Sequence, residues 1–143
     1  MTVTVYFKTR AAASIKKLAP ALKKAVACAA AGCGGGIALI LVSDSEIRRL
    51  NRIFLSRKSV TDVIAFNHPS PLFTPADETP PFGDIYICLP QARRQAKALG
   101  HSLQTELLIL AAHGALHLAG MDDSTPALRK KMNEKTLRLL KTL

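Results

Sequence analysis

The chain has 143 residues and a formal net charge of +10, from 20 Lys and Arg residues against 10 Asp and Glu residues. Its composition, 48% hydrophobic and 21% charged, excludes a disordered tail, and its length predicts one compact domain over residues 1–143. No apolar run reaches the roughly 18 residues of a membrane-spanning helix, and the start, MTVTVYFKTR, lacks the pattern of a secretory signal. The excess of positive charge favours a polyanionic partner, with an acidic membrane surface and plain solubility as alternatives.

The first half of the chain predicts three strands and two helices. Residues 2–7 alternate apolar and polar side chains, and residues 37–42 form a short apolar run; each pattern predicts a strand. Residues 63–66 are a third predicted strand. An apolar stripe at helical spacing predicts a helix over 15–30, and Pro20 allows its first turn to lie nearer residue 19. Ser43 followed by Glu46 is a capping-box pattern and predicts a helix that ends near Phe54.

The second half predicts an irregular segment, one strand and three helices. Residues 67–82 contain five of the eight prolines, and residues 85–89 read as a strand. The helices are predicted from Pro90 to Gly100, from Ser102 to Gly120, and from Thr125 to about residue 140. The middle one is apolar on all sides around residues 107–112 and is therefore predicted to be buried. Strands and helices do not alternate strictly, so the predicted class is α+β, with one small mixed sheet of about four strands and about five helices.

A pair of histidines near the end of this buried helix is the best candidate for chemistry. His113 and His117 are four residues apart, so both rings lie on one face of the helix and can bind one cation. Gly120 permits the backbone to reverse, after which Asp122 or Asp123 can supply a third ligand. Two nitrogens and one carboxylate leave an open position, as in catalytic zinc sites, and the site is predicted at the end of the buried helix.

Two other metal chemistries use similar ligands. A zinc protease needs a glutamate directly after the first histidine, and Gly114 occupies that position, which argues against a protease. A non-haem iron oxygenase also uses two histidines and a carboxylate, so the ligands alone do not exclude iron.

The motif His-Gly-x-Leu-His-Leu-x-Gly-x-Asp, at residues 113–122, resembles the signature of the YbeY family of rRNA-maturation endoribonucleases. The resemblance covers roughly residues 40–123. Further elements in the family's order are Leu50-Asn51 with Phe54, residues 61–66, Gly83-Asp84-Ile85, Gln95-Ala96, Gly100-His101-Ser102 and Glu106.

This resemblance implies a cytoplasmic, zinc-dependent endoribonuclease. It would act on single-stranded RNA in 3′-end maturation of the small-subunit (16S) rRNA and in ribosome quality control. The implied partners are rRNA and ribosomal particles, without membrane or DNA. One Zn²⁺ per chain would be held by His113, His117 and Asp123, and would activate a water for attack on a phosphodiester, while Arg57 offsets the developing charge.

The basic residues near the start of the chain are then candidates for phosphate contacts. They are Lys16, Lys17, Lys23, Lys24, Arg48, Arg49, Arg52 and Lys58. With two tyrosines and no tryptophan, the sequence shows no evident platform for stacking bases.

Two departures from the family pattern bear on activity. Asp123 stands where the family usually has a third histidine, and the added negative charge would weaken polarisation of a phosphate. Leu55 stands where the family usually has an arginine, although Arg57 and Lys58 follow closely. These departures keep two alternatives open: an RNA- or ribosome-associated binding protein with a structural metal, and a small hydrolase acting on another phosphate or acyl substrate.

Five further polar residues have ordinary structural interpretations. Glu106 is predicted to be a helix-start charge or a salt-bridge partner, and His101 a loop or cap residue. His68 is predicted to be a solvated loop residue, and Asp62 and Asp84 to accept hydrogen bonds from backbone donors.

Overall fold

The computed structural model describes residues 1–55, 61–68 and 80–143. Their arrangement confirms an α+β fold with one four-stranded mixed sheet and five α-helices. In chain order the elements are β1 (Thr2–Phe7), a 3-10 helix (Arg10–Leu18), α1 (Ala19–Ala29), β2 (Gly36–Val42), α2 (Asp44–Phe54), β3 (Val63–Asn67), β4 (Pro81–Cys88), α3 (Leu89–Leu99), α4 (Leu103–Leu118) and α5 (Pro126–Lys141).

The sheet has the strand order β1-β2-β4-β3, in which β1, β2 and β4 are parallel and β3 is antiparallel to β4. The central strand β2 is almost continuously apolar because helices and side chains cover both of its faces. The edge strand β1 instead alternates between exposed and half-buried residues.

The main core lies between one face of the sheet and the helices α1 and α4. Its large, fully buried side chains include Leu22 of α1, Leu39 and Ile85 of the sheet, and Leu107 and Leu116 of α4. On the opposite face, α2 packs over a smaller cluster, in which Ile47 and Leu50 meet strand residues such as Ile40 and Ile64. The helix α4 is thus the central helix, as its apolar sequence predicts.

The predicted helix over 15–30 is two helices of different kinds. The buried residues Ala12, Ile15 and Leu18 recur every third residue, and this period matches a 3-10 helix, in which such side chains lie above one another. From Leu18 onward the spacing lengthens to that of an α-helix, and Pro20 lies in the first turn of α1.

Most predicted helix ends are confirmed by their capping contacts. The side chains of Ser43, Ser102 and Thr125 each accept a hydrogen bond from the backbone N–H three residues on. Gly100 ends α3 with a positive φ of 74°. The strand β4 begins at Pro81, four residues earlier than predicted, because its first residues pair with both β2 and β3.

The three cysteines, Cys28, Cys33 and Cys88, are free. Among the described residues, no helix combines the length and the apolar character required to cross a membrane.

Candidate metal centre

The helix α4 lies unusually close to the sheet at Gly114, between the two histidines. A β-carbon at Gly114 would lie 2.5 Å from Cγ2 of Ile85, which is fully buried in β4. Normal carbon contacts are about 3.5–4.0 Å, so only glycine fits between helix and strand here. Gly114 stands where a zinc protease has its catalytic glutamate, and the close packing of α4 on β4 explains why this position is glycine.

His113 is largely buried within the helical layer. Its Nε2 atom is inaccessible to solvent and has no hydrogen-bond partner in the described part of the chain. Burial lowers the pKa of His113 below its ordinary value, and the nearby charge of Asp62 opposes this effect only partly. The ring is therefore neutral at pH 7 and has a nitrogen lone pair available to a ligand.

His117 lies one turn further along α4 and contacts the segment that follows the helix. Its Nε2 atom is 3.4 Å from Oδ2 of Asp123. The chain reverses between them through Gly120, whose φ of 101° is strongly disfavoured for residues with a side chain. The residues alone left open whether Asp122 or Asp123 is the third ligand, and the family resemblance favoured Asp123; the structure brings Asp123 to the histidine.

Asp122 has a different partner. Its carboxylate accepts hydrogen bonds from the backbone N–H of Ser124 at 2.9 Å and from the hydroxyl of Ser124 at 2.6 Å. These bonds lower the pKa of Asp122 and fix the turn before α5.

A cleft adjoins His117 between α2 and β3. It has a volume of about 340 Å³, and the residues that line it include Asn51, Leu55, Thr61, Ile64 and His117. Phe54, beside it at the end of α2, is 60% exposed and packs on Phe66 of β3, with ring centroids 5.1 Å apart. A substrate in the cleft would meet the imidazole of His117 on one wall and the apolar end of α2 on the other.

The three predicted ligands fit zinc in their chemistry, since two neutral imidazoles and one carboxylate are a donor set that catalytic zinc sites use. The orphaned Nε2 atom of buried His113 is a polar group that a ligand would satisfy. Only His117 and Asp123 are in contact, however, and within the described ranges no three His, Cys, Asp or Glu side chains are arranged to hold a metal ion.

A partly buried network of polar side chains supports this region, and the sequence predicted only part of it. Glu106 is 3% exposed, and its carboxylate contacts Nε2 of His101 at 2.5 Å and accepts a hydrogen bond from Nε2 of Gln95 at 3.0 Å. The same Gln95 amide donates to Oδ2 of Asp62 at 3.3 Å, while Oδ1 of Asp62 accepts from the backbone N–H of Val63. The salt-bridge interpretation of Glu106 and the backbone role of Asp62 are confirmed.

His101 lies in the loop between α3 and α4, as the sequence predicts, and its ring is also the partner of buried Glu106. The interpretation of Asp84 was wrong. Asp84 contacts Nε2 of His68 at 3.1 Å, so its partner is a side chain and not a backbone donor. His68 and Asp84 are far apart in the sequence, and no local pattern signals such a contact.

The predicted phosphate-contacting cations that the structure describes are all exposed. Arg49 is paired with Glu46 at 2.6 Å, whereas Arg48 and Arg52 form no salt bridge with a described residue. Lys16 and Lys17 lie on the 3-10 helix, and Lys23 and Lys24 lie on α1. Arg57, the predicted charge-offsetting residue, and Lys58 lie outside the described residues.

The fold and the site together define a small α+β protein in which one of two histidines on the central helix, His117, faces a cleft. The sequence model of the family described as Endoribonuclease YbeY matches residues 4–143. The chain belongs to this family of endoribonucleases, enzymes that hydrolyse RNA.

Individual relatives agree with this assignment. An endoribonuclease YbeY of Elusimicrobium minutum is 40% identical over 144 residues, which cover 98% of each chain. One of Thermus thermophilus is 43% identical over 110 residues, or 73% of this chain and 76% of the relative. The solution structure of a Thermotoga maritima protein superposes with a TM-score of 0.64 at 26% identity, covering 97% of this chain and 87% of that one.

Proposed function

We propose that this chain is a zinc-dependent endoribonuclease that cleaves single-stranded RNA during 3′-end maturation of small-subunit rRNA, and that it also serves ribosome quality control in the cytoplasm. The observation that carries the proposal is the contact between His117 and Asp123 at the mouth of the cleft, one turn from the unsatisfied nitrogen of His113. The family supports the nuclease activity itself.

His113, His117 and Asp123 would hold one Zn²⁺ per chain. When bound, zinc supplies a Lewis acid that activates water and polarises a phosphodiester for hydrolysis. Burial keeps His113 neutral, and the turn through Gly120 presents the carboxylate of Asp123 to the same side as His117. His113 contacts neither His117 nor Asp123, so its side chain would have to rearrange for all three to hold one ion.

The cleft beside His117 would receive the RNA. Its walls at Leu55 and Ile64 are apolar, while Thr61 offers a polar group for hydrogen bonds to a ribose or base. Leu55 replaces the arginine that is usual in the family, so we assign compensation of the developing charge to Arg57.

Substrate affinity would come mainly from phosphate contacts of exposed cations. Lys16, Lys17, Lys23, Lys24, Arg48, Arg49, Arg52 and Lys58 are the proposed contacts. Binding should then weaken steeply as salt is added, because each phosphate contact releases condensed counterions.

The decisive experiment combines zinc analysis with RNA cleavage. Wild type should contain one zinc per chain after dialysis and should cut a single-stranded rRNA fragment. The variants His113→Ala, His117→Ala and Asp123→Ala should lose both zinc and cleavage. The loss of zinc affinity should exceed the roughly 10–100-fold loss that follows removal of a residue that only hydrogen-bonds to a metal ligand.

Asp122→Ala is the matched control, because it removes a neighbouring carboxylate whose partner is Ser124. It should keep its zinc and its activity. Zinc retained by both histidine variants would refute the metal site. If wild type binds zinc and RNA but cuts no RNA, the alternative of a binding protein with a structural metal replaces the proposal.

A further inference from the structure

Another cavity lies where β1 ends and the 3-10 helix begins. It has a volume of about 450 Å³, and its lining includes Phe7, Lys8, Thr9, Arg10 and Lys16. The backbone N–H of Lys8 donates to the carbonyl of Leu41 at 2.9 Å, which fixes this corner at the carboxyl end of the parallel strands β1 and β2. Open sheets of this kind commonly bind ligands at the carboxyl ends of their strands.

The charge around this cavity is entirely positive. Lys8, Arg10 and Lys16 line it, no carboxylate does, and none of the three forms a salt bridge within the described part of the chain. The carboxylate of Glu46 is near enough to interact electrostatically with Lys8, but it is already paired with Arg49 at 2.6 Å. Three cations around one cavity, none of them in a salt bridge, repel each other, so an anion bound among them would be stabilised.

The start of the 3-10 helix adds hydrogen-bonding capacity to the same cavity. Thr9 caps this nine-residue helix with an extended backbone, yet its side chain makes no capping hydrogen bond. The first turn also contains no acidic residue. The hydroxyl of Thr9 is therefore available, together with the cations, to an oxyanion with several acceptor oxygens.

The helix α2 connects this cavity with the cleft beside His117. Glu46 in its first turn interacts electrostatically with Lys8 of the cavity. Leu55, directly after its last residue, lines the cleft. Its 11 residues span about 16 Å at 1.5 Å per residue. Arg48 and Arg52 are one turn apart on this helix, exposed and without a salt bridge to a described residue, so two available cations lie on the helix between its two ends.

We propose that the cavity of Lys8, Thr9, Arg10 and Lys16 is a phosphate-binding subsite that holds one backbone phosphate of the RNA, several nucleotides away from the bond that is cut. The strand would run along the arginines of α2 from the cleft to this subsite. The subsite would favour long over short substrates without any contact at the reaction centre. This inference rests on the proposed function, because that function supplies the RNA.

The test compares two doubly substituted proteins with equal loss of charge. Lys8→Gln with Arg10→Gln removes two cations from the cavity, and Lys130→Gln with Lys131→Gln removes two exposed cations from α5 as the matched control. All four side chains are exposed, so both proteins should fold. Binding of a labelled 20-nucleotide single-stranded RNA is followed by fluorescence polarisation between 0.05 and 0.2 M salt, and cleavage of the same RNA is assayed in parallel.

The cavity variant should bind the RNA about tenfold more weakly near 0.2 M salt, and the slope of log K against log salt should fall by about 1.4, for two lost contacts to a single strand. The loss should appear in KM for the long RNA, and the α5 variant should match wild type. Equal weakening of both variants, or an unchanged slope for the cavity variant, would overturn the subsite.

A titration with inorganic phosphate separates this inference from the proposed function. Phosphate should shift the amide NMR signals of Thr9 and Arg10 in wild type and not in the cavity variant. If wild type neither binds nor cuts RNA, the proposed function fails; phosphate shifts that persist in that case would assign the cavity to free phosphate and overturn its role in RNA binding. Absence of any shift would overturn the anion site itself.

Discussion

Substitution of Gly114 by alanine should destabilise this protein, although a change from glycine to alanine in the middle of an ordinary helix stabilises that helix. In an open helix interior, alanine is favoured over glycine by about 1 kcal/mol. Here the added β-carbon would lie 2.5 Å from Cγ2 and 3.3 Å from Cγ1 of Ile85, at least 1 Å short of a normal contact at the first atom.

Ile85 is fully buried and cannot move aside without disturbing its own neighbours. Overpacking of this kind costs about 1–3 kcal/mol and occasionally more, so a clash this severe should outweigh the helical gain and leave a net loss of about 1–2 kcal/mol. For a chain of this length, that corresponds to a fall in Tm of roughly 3–8 °C.

Urea denaturation followed by circular dichroism measures this change, with Gly34→Ala as the matched control. A β-carbon at Gly34 meets no atom within 4 Å, so that variant should be neutral or slightly stabilised. In an Ile85→Ala background, which removes Cγ2, Gly114→Ala should become stabilising. An unchanged or raised urea midpoint for Gly114→Ala alone would refute the close packing of α4 on β4.

Two further predictions concern ionic contacts. Glu106→Gln should lower stability by about 1–3 kcal/mol in a urea titration, because the amide replaces a buried carboxylate that His101 and Gln95 both contact; an unchanged midpoint would contradict the network. The hydrogen bond from Arg94 lowers the pKa of Asp44, so their contribution to stability is present above the unfolded pKa near 4 and is lost as pH falls through the lower folded pKa. Arg94→Gln should therefore destabilise the protein modestly at pH 7 and progressively less in acid, as thermal melts at pH 7, 4 and 3 would show; a deficit that grows in acid would contradict this assignment.

Local signals in the sequence predicted the elements well, because each rests on contacts between near neighbours. The capping residues Ser43, Ser102 and Thr125 bond to amides only three residues away, and the period of buried residues marks the faces of the helices. The change from 3-10 to α-helix near Leu18 was missed, since the two periods differ by less than one residue.

Contacts between distant segments could not be predicted in the same way. Gln95 bridges Asp62 and Glu106, and the pair of His68 with Asp84 joins two strands, but none of these residues carries a local mark of its partner. Their partners follow from strand order and from the position of α4 on the sheet.

The sequence by itself determined the α+β class, the histidine pair at helical spacing, and the family to which the chain belongs, because these depend on residue order and short-range geometry. Only the tertiary structure decided between Asp122 and Asp123 as the residue that meets His117, by giving Asp122 to Ser124. It also showed why Gly114 must be glycine, and it distinguished cations paired with a carboxylate, such as Arg49, from those that form no salt bridge with a described residue, such as Arg52. Each of these depends on distances across the fold, which are set by packing and not by spacing along the chain.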